Sequence, residues 1–487
     1  MIKNYIQGNW VASSATASVD VTNPATGEIL AKCPLSNVSD VDQAVAAGKE
    51  AFKAWRQVPA IDRVQPLFKL KALMDANCEE LARLVTMENG KILAEARGSV
   101  RRGIQMVETA CGIPSLLMGQ HMEDIASGID CKAINRPMGV FGVIAPFNFP
   151  AMVPFWFWPF AVACGNSVVI KPSERVPLTS AKIFELVAQA GFPKGVVNMV
   201  HGAKTVVDRL CTHPDIQGVS FVGSTPVAKH VYQTATAHMK RVQALGGAKN
   251  FMVVMPDAIM EKTADTAFES ITGCAGERCL AGSVVISIGE KTQKELEDRV
   301  VRRAKDIIVG NGLDKNSQMG PLISQAAKDR VKGLIQSAVD EGAKLLVDGR
   351  VGADALPGYF LKPTVISGIK PGMRIANEEV FGPVILLAQA ASLDEAIEWI
   401  NSSNFANTTT IFTTSGAAAR KFSYEVDPSM IGINIGVPAP MSYFSFGGSK
   451  DSFYGDIKAH GRGCVTFYTD MKITTERWLS DASIWKS

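Results

Sequence analysis

The most reactive-looking stretch of the chain is Gly276-Glu277-Arg278-Cys279. A cysteine beside a cation, just past a helical pattern and close to Gly273, Gly276 and Gly282, sits where a thiolate could be favoured. The alternative for any of the nine cysteines is an inert, buried thiol. Cys274, with no neighbouring charge in the sequence, is read that way. Pro146-Phe147-Asn148-Phe149-Pro150 follows an apolar strand pattern. The Asn148 amide could donate to a developing oxyanion, or it could simply hold a turn. Lys171-Pro172-Ser173-Glu174 also follows a strand. There a lysine and a glutamate could hold sugar hydroxyls, or form a solvated turn. Phe221-Val222-Gly223-Ser224-Thr225-Pro226 ends a strand and opens a helix, with Thr225 as expected cap and Pro226 in the first turn. Free amides at such an end attract phosphate, although no GxGxxG fingerprint occurs anywhere. Glu378-Glu379-Val380-Phe381-Gly382-Pro383 could hold a ribose and a flat ring at a turn.

These segments need elements to position them. Strand and helix patterns alternate through most of the chain, which predicts parallel βαβ units. In the first series, strands are expected at 139–145, 167–170, 196–200 and 217–222, and helices at 178–189, closing at Gly191, and 227–236. The second series has strands at 250–255 and 283–288, with helices at 264–272, 294–306, 325–341 and 393–401. Near the start, 38–55 is an amphipathic helix with Ser39 as expected cap, and 60–87 continues in helical period. Ile129–Arg136 and the tail 463–475 read as extended and could pair in an arm between subunits.

Composition bounds the function. At about 150 residues per domain, 487 residues make about three domains. Apolar residues are 47% and charged residues 20%, which excludes collagen, disorder and coiled coil. Fifty basic against 47 acidic residues leave a net charge of +3, too balanced for a dedicated nucleic-acid or membrane-surface binder. Scattered cysteines without CxxC point to a reducing compartment, and six histidines without HExxH or HxxxH give no reason to expect a metal site. The opening Met-Ile-Lys-Asn-Tyr shows no leader pattern, so a cytoplasmic location is expected. The longest apolar run, Ala151 to Cys164, is interrupted by Pro154 and Pro159 and reads as core, not as a membrane span.

Taken together and in this order, the five segments resemble the aldehyde dehydrogenase superfamily, from Asn23-Pro24-Ala25-Thr26-Gly27 to Phe467-Tyr468-Thr469. The resemblance implies an α/β protein with three parts. These are a Rossmann-type NAD-binding domain (1–120 and 141–248), an α/β catalytic domain (249–445) and a small β oligomerisation arm (121–140 and 464–487). It implies dimers or tetramers built through that arm. Cys279 would be the nucleophile and Asn148 the oxyanion donor. Phe147, Lys171, Ser173, Glu174, Gly223, Ser224, Glu379 and Phe381 would bind the cofactor. Glu174 at the adenosine ribose suits NAD, because it would repel a 2′-phosphate.

Hydrolytic members carry Glu-Leu-Gly-Gly ahead of the nucleophile, and that glutamate activates water. Here the stretch is Gln243-Ala244-Leu245-Gly246-Gly247-Ala248-Lys249-Asn250, so Ala244 or Leu245 stands in its place. A thioester without that base meets a thiol more readily than water, which implies coenzyme A as acyl acceptor. Gly-Ala-Lys-Asn at 247–250, Gly-Glu-Arg-Cys, Gly436-Val437-Pro438-Ala439-Pro440-Met441 and Lys450 to Asp456 resemble one CoA-acylating branch, the methylmalonate-semialdehyde dehydrogenases. In that branch two arginines hold the substrate carboxylate, matching Arg102 and Arg278 here. Arg101 reads as a solvated helix face. The chain departs from the branch at Phe446-Gly447-Gly448-Ser449-Lys450 and Leu280-Ala281-Gly282, two segments expected to border the substrate. The rival readings are a hydrolytic dehydrogenase using another base and an inactive NAD-binding scaffold.

Overall fold

The computed structural model describes residues 1–479. Two sheets dominate it. The first has eight strands in the order Asn9–Val11, Asn4–Ile6, Val197–Met199, Ser167–Lys171, Val140–Ile144, Ile216–Val222, Arg241–Leu245 and Phe453–Gly455. Its five inner strands are parallel and its edges are antiparallel. These inner strands are mostly apolar and almost wholly buried, as a sheet covered on both faces requires. From Val140–Ile144 the chain winds out through Ser167–Lys171 on one side and, after returning, through Ile216–Val222 on the other. The order therefore reverses beside Val140–Ile144, which opens a crevice at the carboxyl ends of the strands.

The second sheet runs Lys344–Val347, Thr364–Ser367, Val384–Ala390, Val284–Ile288, Phe251–Val254, Thr408–Phe412 and Met430–Ile433. Only its first pair is antiparallel. A separate antiparallel arm joins Thr469–Glu476 to Ile129–Pro137 and that strand to Gln120–Ala126. The expected pairing of tail and arm is present, in a register running from Thr469 opposite Pro137 to Glu476 opposite Asp130. The part of the expected arm at 480–487 lies outside the described residues.

Three local expectations are corrected. Helix Val38–Trp55 is capped by Asn37, not Ser39; the Asn37 side chain accepts from the N–H groups of Ser39 and Asp40, and Asp40 answers on the Asn37 N–H. The Ser39 hydroxyl is spent on Asn37 Oδ1 at 2.8 Å. The helical stretch 60–87 is three helices, Ala60–Arg63, Gln65–Ala76 and Cys78–Asn89. Asn77 breaks it, leaving helical ψ and returning its side-chain amide to the Leu73 carbonyl at 2.8 Å. The tail is not extended from 463: Gly463–Tyr468 is a helical turn. Cys464, Val465, Phe467 and Tyr468 are all buried there, a helical spacing that an alternating strand could not bury on one face. Residues 151–164 are the buried core expected, with Phe155, Phe157 and Trp158 essentially inaccessible. Among the described residues no helix is long and apolar enough to cross a membrane.

Candidate active site

Two cavities meet at Cys279. The larger, about 880 Å³, lies at the carboxyl ends of the first sheet; the smaller, about 300 Å³, lies on the other side of the sulfur. Phe147, Asn148, Lys171, Ser173, Glu174, Gly223, Ser224, Glu379 and Phe381 line the larger one. Arg102 and Arg278 line the smaller, and Cys279 lines both. Residues spread over most of the chain are thus gathered around one thiol.

The turn that presents Cys279 is strained. After helix Met260–Thr272, Cys274 (φ 51°) and Ala275 (φ 53°) both adopt left-handed backbone, rare for side chains with a Cβ. Gly276 follows at φ 75°, where a Cβ would stand 2.3 Å from the Gly382 carbonyl. Two amides then fix the nucleophile. Asn250 and Asn407 each donate to the Cys279 carbonyl at 2.9 Å, and Asn250 also donates to the Ala281 carbonyl at 2.8 Å. They sit just ahead of the neighbouring parallel strands Phe251–Val254 and Thr408–Phe412. The sequence offered Asn250 only as part of a motif, and it offered nothing for Asn407.

The charge at the sulfur is not what the sequence suggested. Cys279 is partly exposed, because both cavities reach it. Yet it lies deep among protein atoms, and that burial pushes its thiol up to about 12, with the nearby Glu379 carboxylate adding to the rise. The backbone N–H groups of Cys279 and Leu280 pull the other way, ahead of the weak pull of Arg278. The Arg278 guanidinium turns elsewhere, to Glu95 Oε1 at 2.9 Å and Cys274 Sγ at 3.3 Å. Cys274, expected to be free of charge, is therefore the thiol in contact with the cation. Adjacency in sequence did not become adjacency of charge.

Asn148 is buried and donates from Nδ2 to the Glu277 carbonyl at 3.0 Å. Its own carbonyl accepts from Lys91 Nζ at 2.5 Å, and that ammonium lies 3.7 Å from the centre of the Phe149 ring. Asn89 Nδ2 donates to the Phe147 carbonyl at 3.2 Å. Lys91 is fully buried and was missed by the sequence reading, since a lysine in a short connection between helices carries no signal of burial.

Along the larger cavity the donors suit a dinucleotide. Lys171 Nζ and Glu174 Oε2 pair at 2.9 Å. Burial opposes ionisation of Glu174, but the Lys171 ammonium, joined by a backbone N–H and Arg175, holds the carboxyl below its usual range. Helix Thr225–Ala237 opens at the cavity with Ser224 in the cap position and no side-chain cap. The expected cap from Thr225 is absent, because its hydroxyl accepts the Gly247 N–H at 2.8 Å and donates to the Asp451 carbonyl at 3.1 Å. Uncapped N–H groups facing a cavity suit a pyrophosphate. At the far end Glu379 accepts the Ala248 N–H at 2.9 Å. A Cβ on Gly247 would stand 2.5 Å from Glu379 Oε2, so only glycine admits that carboxylate. Burial pushes Glu379 up to about 7. Phe147 and Phe381 meet edge to face at 6.0 Å beside it. Carboxylate and ammonium for one ribose, a helix end for phosphates, and a carboxyl with aromatic edges for the second ribose and ring together fit NAD.

The smaller cavity is mostly apolar, with Arg102, Arg278 and Glu95 as its charged side chains. Arg102, on helix Leu93–Cys111, donates to the carbonyls of Ala439 at 3.2 Å and Pro440 at 3.3 Å and touches Met441 Sδ at 2.8 Å. No carboxylate meets it among the described residues. Arg101 is exposed, as expected. Leu280 and Phe446, from the two departing segments, line this cavity. His460 lines it too, but burial pushes its imidazole down to about 4 and keeps it neutral.

The strand Arg241–Leu245 ends in Ala244 and Leu245 and supplies no carboxylate of its own. Leu245 is buried in the core against which Cys279 packs, and Ala244 is buried in the core on the other side. The acid nearest Cys279 in sequence is Glu277, which lines the larger cavity and accepts the Ile323 N–H at 3.2 Å. Burial pushes it up to about 8, so it is mostly neutral at pH 7.

Known proteins share this fold and much of this sequence. The pattern of the aldehyde dehydrogenase family matches residues 10–474. Malonate-semialdehyde dehydrogenase of Halalkalibacterium halodurans is 49% identical over 477 residues, 98% of each chain. Malonate-semialdehyde dehydrogenase 2 of Geobacillus thermodenitrificans is 50% identical over 477 residues, 98% of this chain and 99% of its own. The crystal structure of methylmalonate-semialdehyde dehydrogenase from Oceanimonas doudoroffii superposes with a TM-score of 0.97 at 42% identity, covering 99% of both chains. An NAD+ complex of aldehyde dehydrogenase from Bacillus cereus superposes at 0.93 with 30% identity, over 98% of this chain and 96% of its own. With the fold and nearly the full length in agreement, this chain belongs to the aldehyde dehydrogenase family.

Proposed function

We propose that the protein oxidises malonate semialdehyde or methylmalonate semialdehyde with NAD and transfers the decarboxylated acyl group to coenzyme A. One observation carries this reading: the thiol lies between a dinucleotide-shaped cavity and a two-arginine cavity, with Leu245 and Ala244 where a water-activating carboxylate would stand. The names borne by relatives about half identical to this chain support it.

The steps follow from the side chains. Cys279 sulfur attacks the aldehyde carbon as a thiolate, formed against its burial with help from the N–H groups of its own residue and Leu280. The carbonyl oxygen becomes an oxyanion. Asn148 Nδ2, 3.0 Å from the Glu277 carbonyl at rest, is the side-chain donor placed to meet it. NAD bound in the larger cavity supplies the acceptor for the departing hydride. A thioester on Cys279 remains. Arg102 and Arg278 hold the substrate carboxylate in the smaller cavity, β to the thioester carbonyl. When that carboxylate leaves as CO2, the electrons enter a thioester enolate, which Asn148 again stabilises. The thiol of coenzyme A then displaces Cys279 and yields propionyl-CoA or acetyl-CoA. At pH 7 water is poorly served, because Leu245 offers only methyl groups and burial keeps Glu277 mostly neutral.

The assay is stopped-flow NADH formation with malonate semialdehyde, with and without coenzyme A. A burst of one NADH per site that turns over only when coenzyme A is added supports the reading. Steady NADH production to free acid at pH 7 without coenzyme A refutes it. The exposed apolar residues Met122, Ile125, Met471 and Ile473 on the arm support assembly into homodimers or homotetramers. Nine cysteines, none in a disulfide, fit a cytoplasmic setting.

A further inference from the structure

Arg278 does not enter the smaller cavity as a free cation. Its Nη2 donates to Glu95 Oε1 at 2.9 Å and its Nε to Cys274 Sγ at 3.3 Å. Glu95 Oε1 also accepts the Cys274 N–H at 2.7 Å, while Oε2 is buried and makes no hydrogen bond. The Glu95 side chain is 15% exposed and lines the same cavity as Arg278, Arg102 and Cys279. Glu95 and Arg102 lie two turns apart on helix Leu93–Cys111, so a single helix face brings both a carboxylate and a guanidinium to the substrate. With His460 neutral, the charged side chains of this cavity are Arg102, Arg278 and Glu95, which sum to one positive charge.

We propose that Glu95 is a specificity-determining residue that tempers Arg278, so that one substrate carboxylate is held firmly enough to be selected and loosely enough to leave as CO2. This rests on the acylating, decarboxylating reading above. In the decarboxylation the bond between the α carbon and the carboxylate carbon breaks. Its electron pair moves into the thioester enolate, neutral CO2 departs, and the α carbon takes a proton from water. Negative charge therefore drains from the carboxylate in the transition state. Guanidinium forks on that carboxylate stabilise the reactant more than the transition state, and binding of that kind slows the step. Two uncommitted arginines would bind the substrate tightly and hold its carboxylate in place. Glu95 already occupies one edge of Arg278 and removes part of that grip.

The test uses the intact enzyme with Glu95→Gln, which keeps the side-chain shape and the acceptor for the Cys274 N–H, and Glu95→Asp, which keeps the charge. The readouts are the KM ratio of malonate semialdehyde to propanal, CO2 released per NADH, and malonyl-CoA against acetyl-CoA. In E95Q the KM ratio should fall about tenfold, in line with one charge-assisted hydrogen bond returned to the substrate. CO2 per NADH should fall below one, with malonyl-CoA appearing as the undecarboxylated product. E95D should move both readouts back toward wild type. Equal KM changes for both aldehydes with an unaltered product ratio would make Glu95 a merely structural residue and overturn the proposal. A wild-type enzyme that releases no CO2 would instead refute the underlying reading, and that result is read before any variant is made.

Discussion

Arg102→Ala isolates carboxylate recognition from the chemistry at sulfur. The guanidinium is gripped by two backbone carbonyls and a thioether, which orient it without neutralising it. Its charge is therefore fully available to a substrate, whereas that of Arg278 is partly offset by Glu95. A hydrogen bond to a charged partner is worth about 1.5–3 kcal/mol, and a fork makes two of them. Arg102 is half-buried, so water screens part of the gain; about 3 kcal/mol is a fair net figure. At about 1.4 kcal/mol per tenfold, kcat/KM for malonate semialdehyde should fall roughly 100-fold. Arg102→Lys should recover only part of this, since an ammonium has no fork. Propanal carries no carboxylate and should lose far less. The assay is the initial rate of NADH formation at low aldehyde and saturating coenzyme A, with thermal unfolding to check the fold. Equal losses on both aldehydes would refute the reasoning. They would mean that Arg102 acts by tying down residues 439–441, the structural role its present contacts also allow.

Glu277 should make thioester hydrolysis depend on pH. Its carboxyl is neutral below about 8 and ionises above, so coenzyme-A-independent turnover should be low at pH 7 and rise to a plateau past that value. Glu277→Gln should remove the plateau; a steady rise with hydroxide, identical in both enzymes, would deny Glu277 any part. Glu174 is held ionised by Lys171, so Glu174→Gln should improve kcat/KM for NADP relative to NAD by about tenfold as repulsion of the 2′-phosphate is lifted. An unchanged cofactor ratio would place the adenosine ribose away from this pair.

Legibility in the sequence followed locality. Asn148, Lys171 and Glu174 stood out because polar residues directly after apolar strands belong at a sheet's carboxyl edge, and Cys279 because it sits among glycines beside a charge; each does line a cavity there. Where the sequence reading relied on adjacency it failed. Arg278 follows Glu277 and precedes Cys279, yet its guanidinium goes to a helix 183 positions away. Lys91, Asn407 and Glu95 were invisible, because each acts through a partner distant in sequence: Lys91 on the Asn148 carbonyl, Asn407 on the Cys279 carbonyl, Glu95 on Arg278.

By itself, then, the order of residues determined the alternation of strands and helices, the chemical types available, and the absence of a carboxylate ahead of Gly246-Gly247. These depend on period and residue type, which are local properties. Only the tertiary structure decided which charges meet, how far burial raises the Cys279 thiol, and that one sulfur serves two cavities. Desolvation and pairing energies depend on distance through space, and only folding sets those distances.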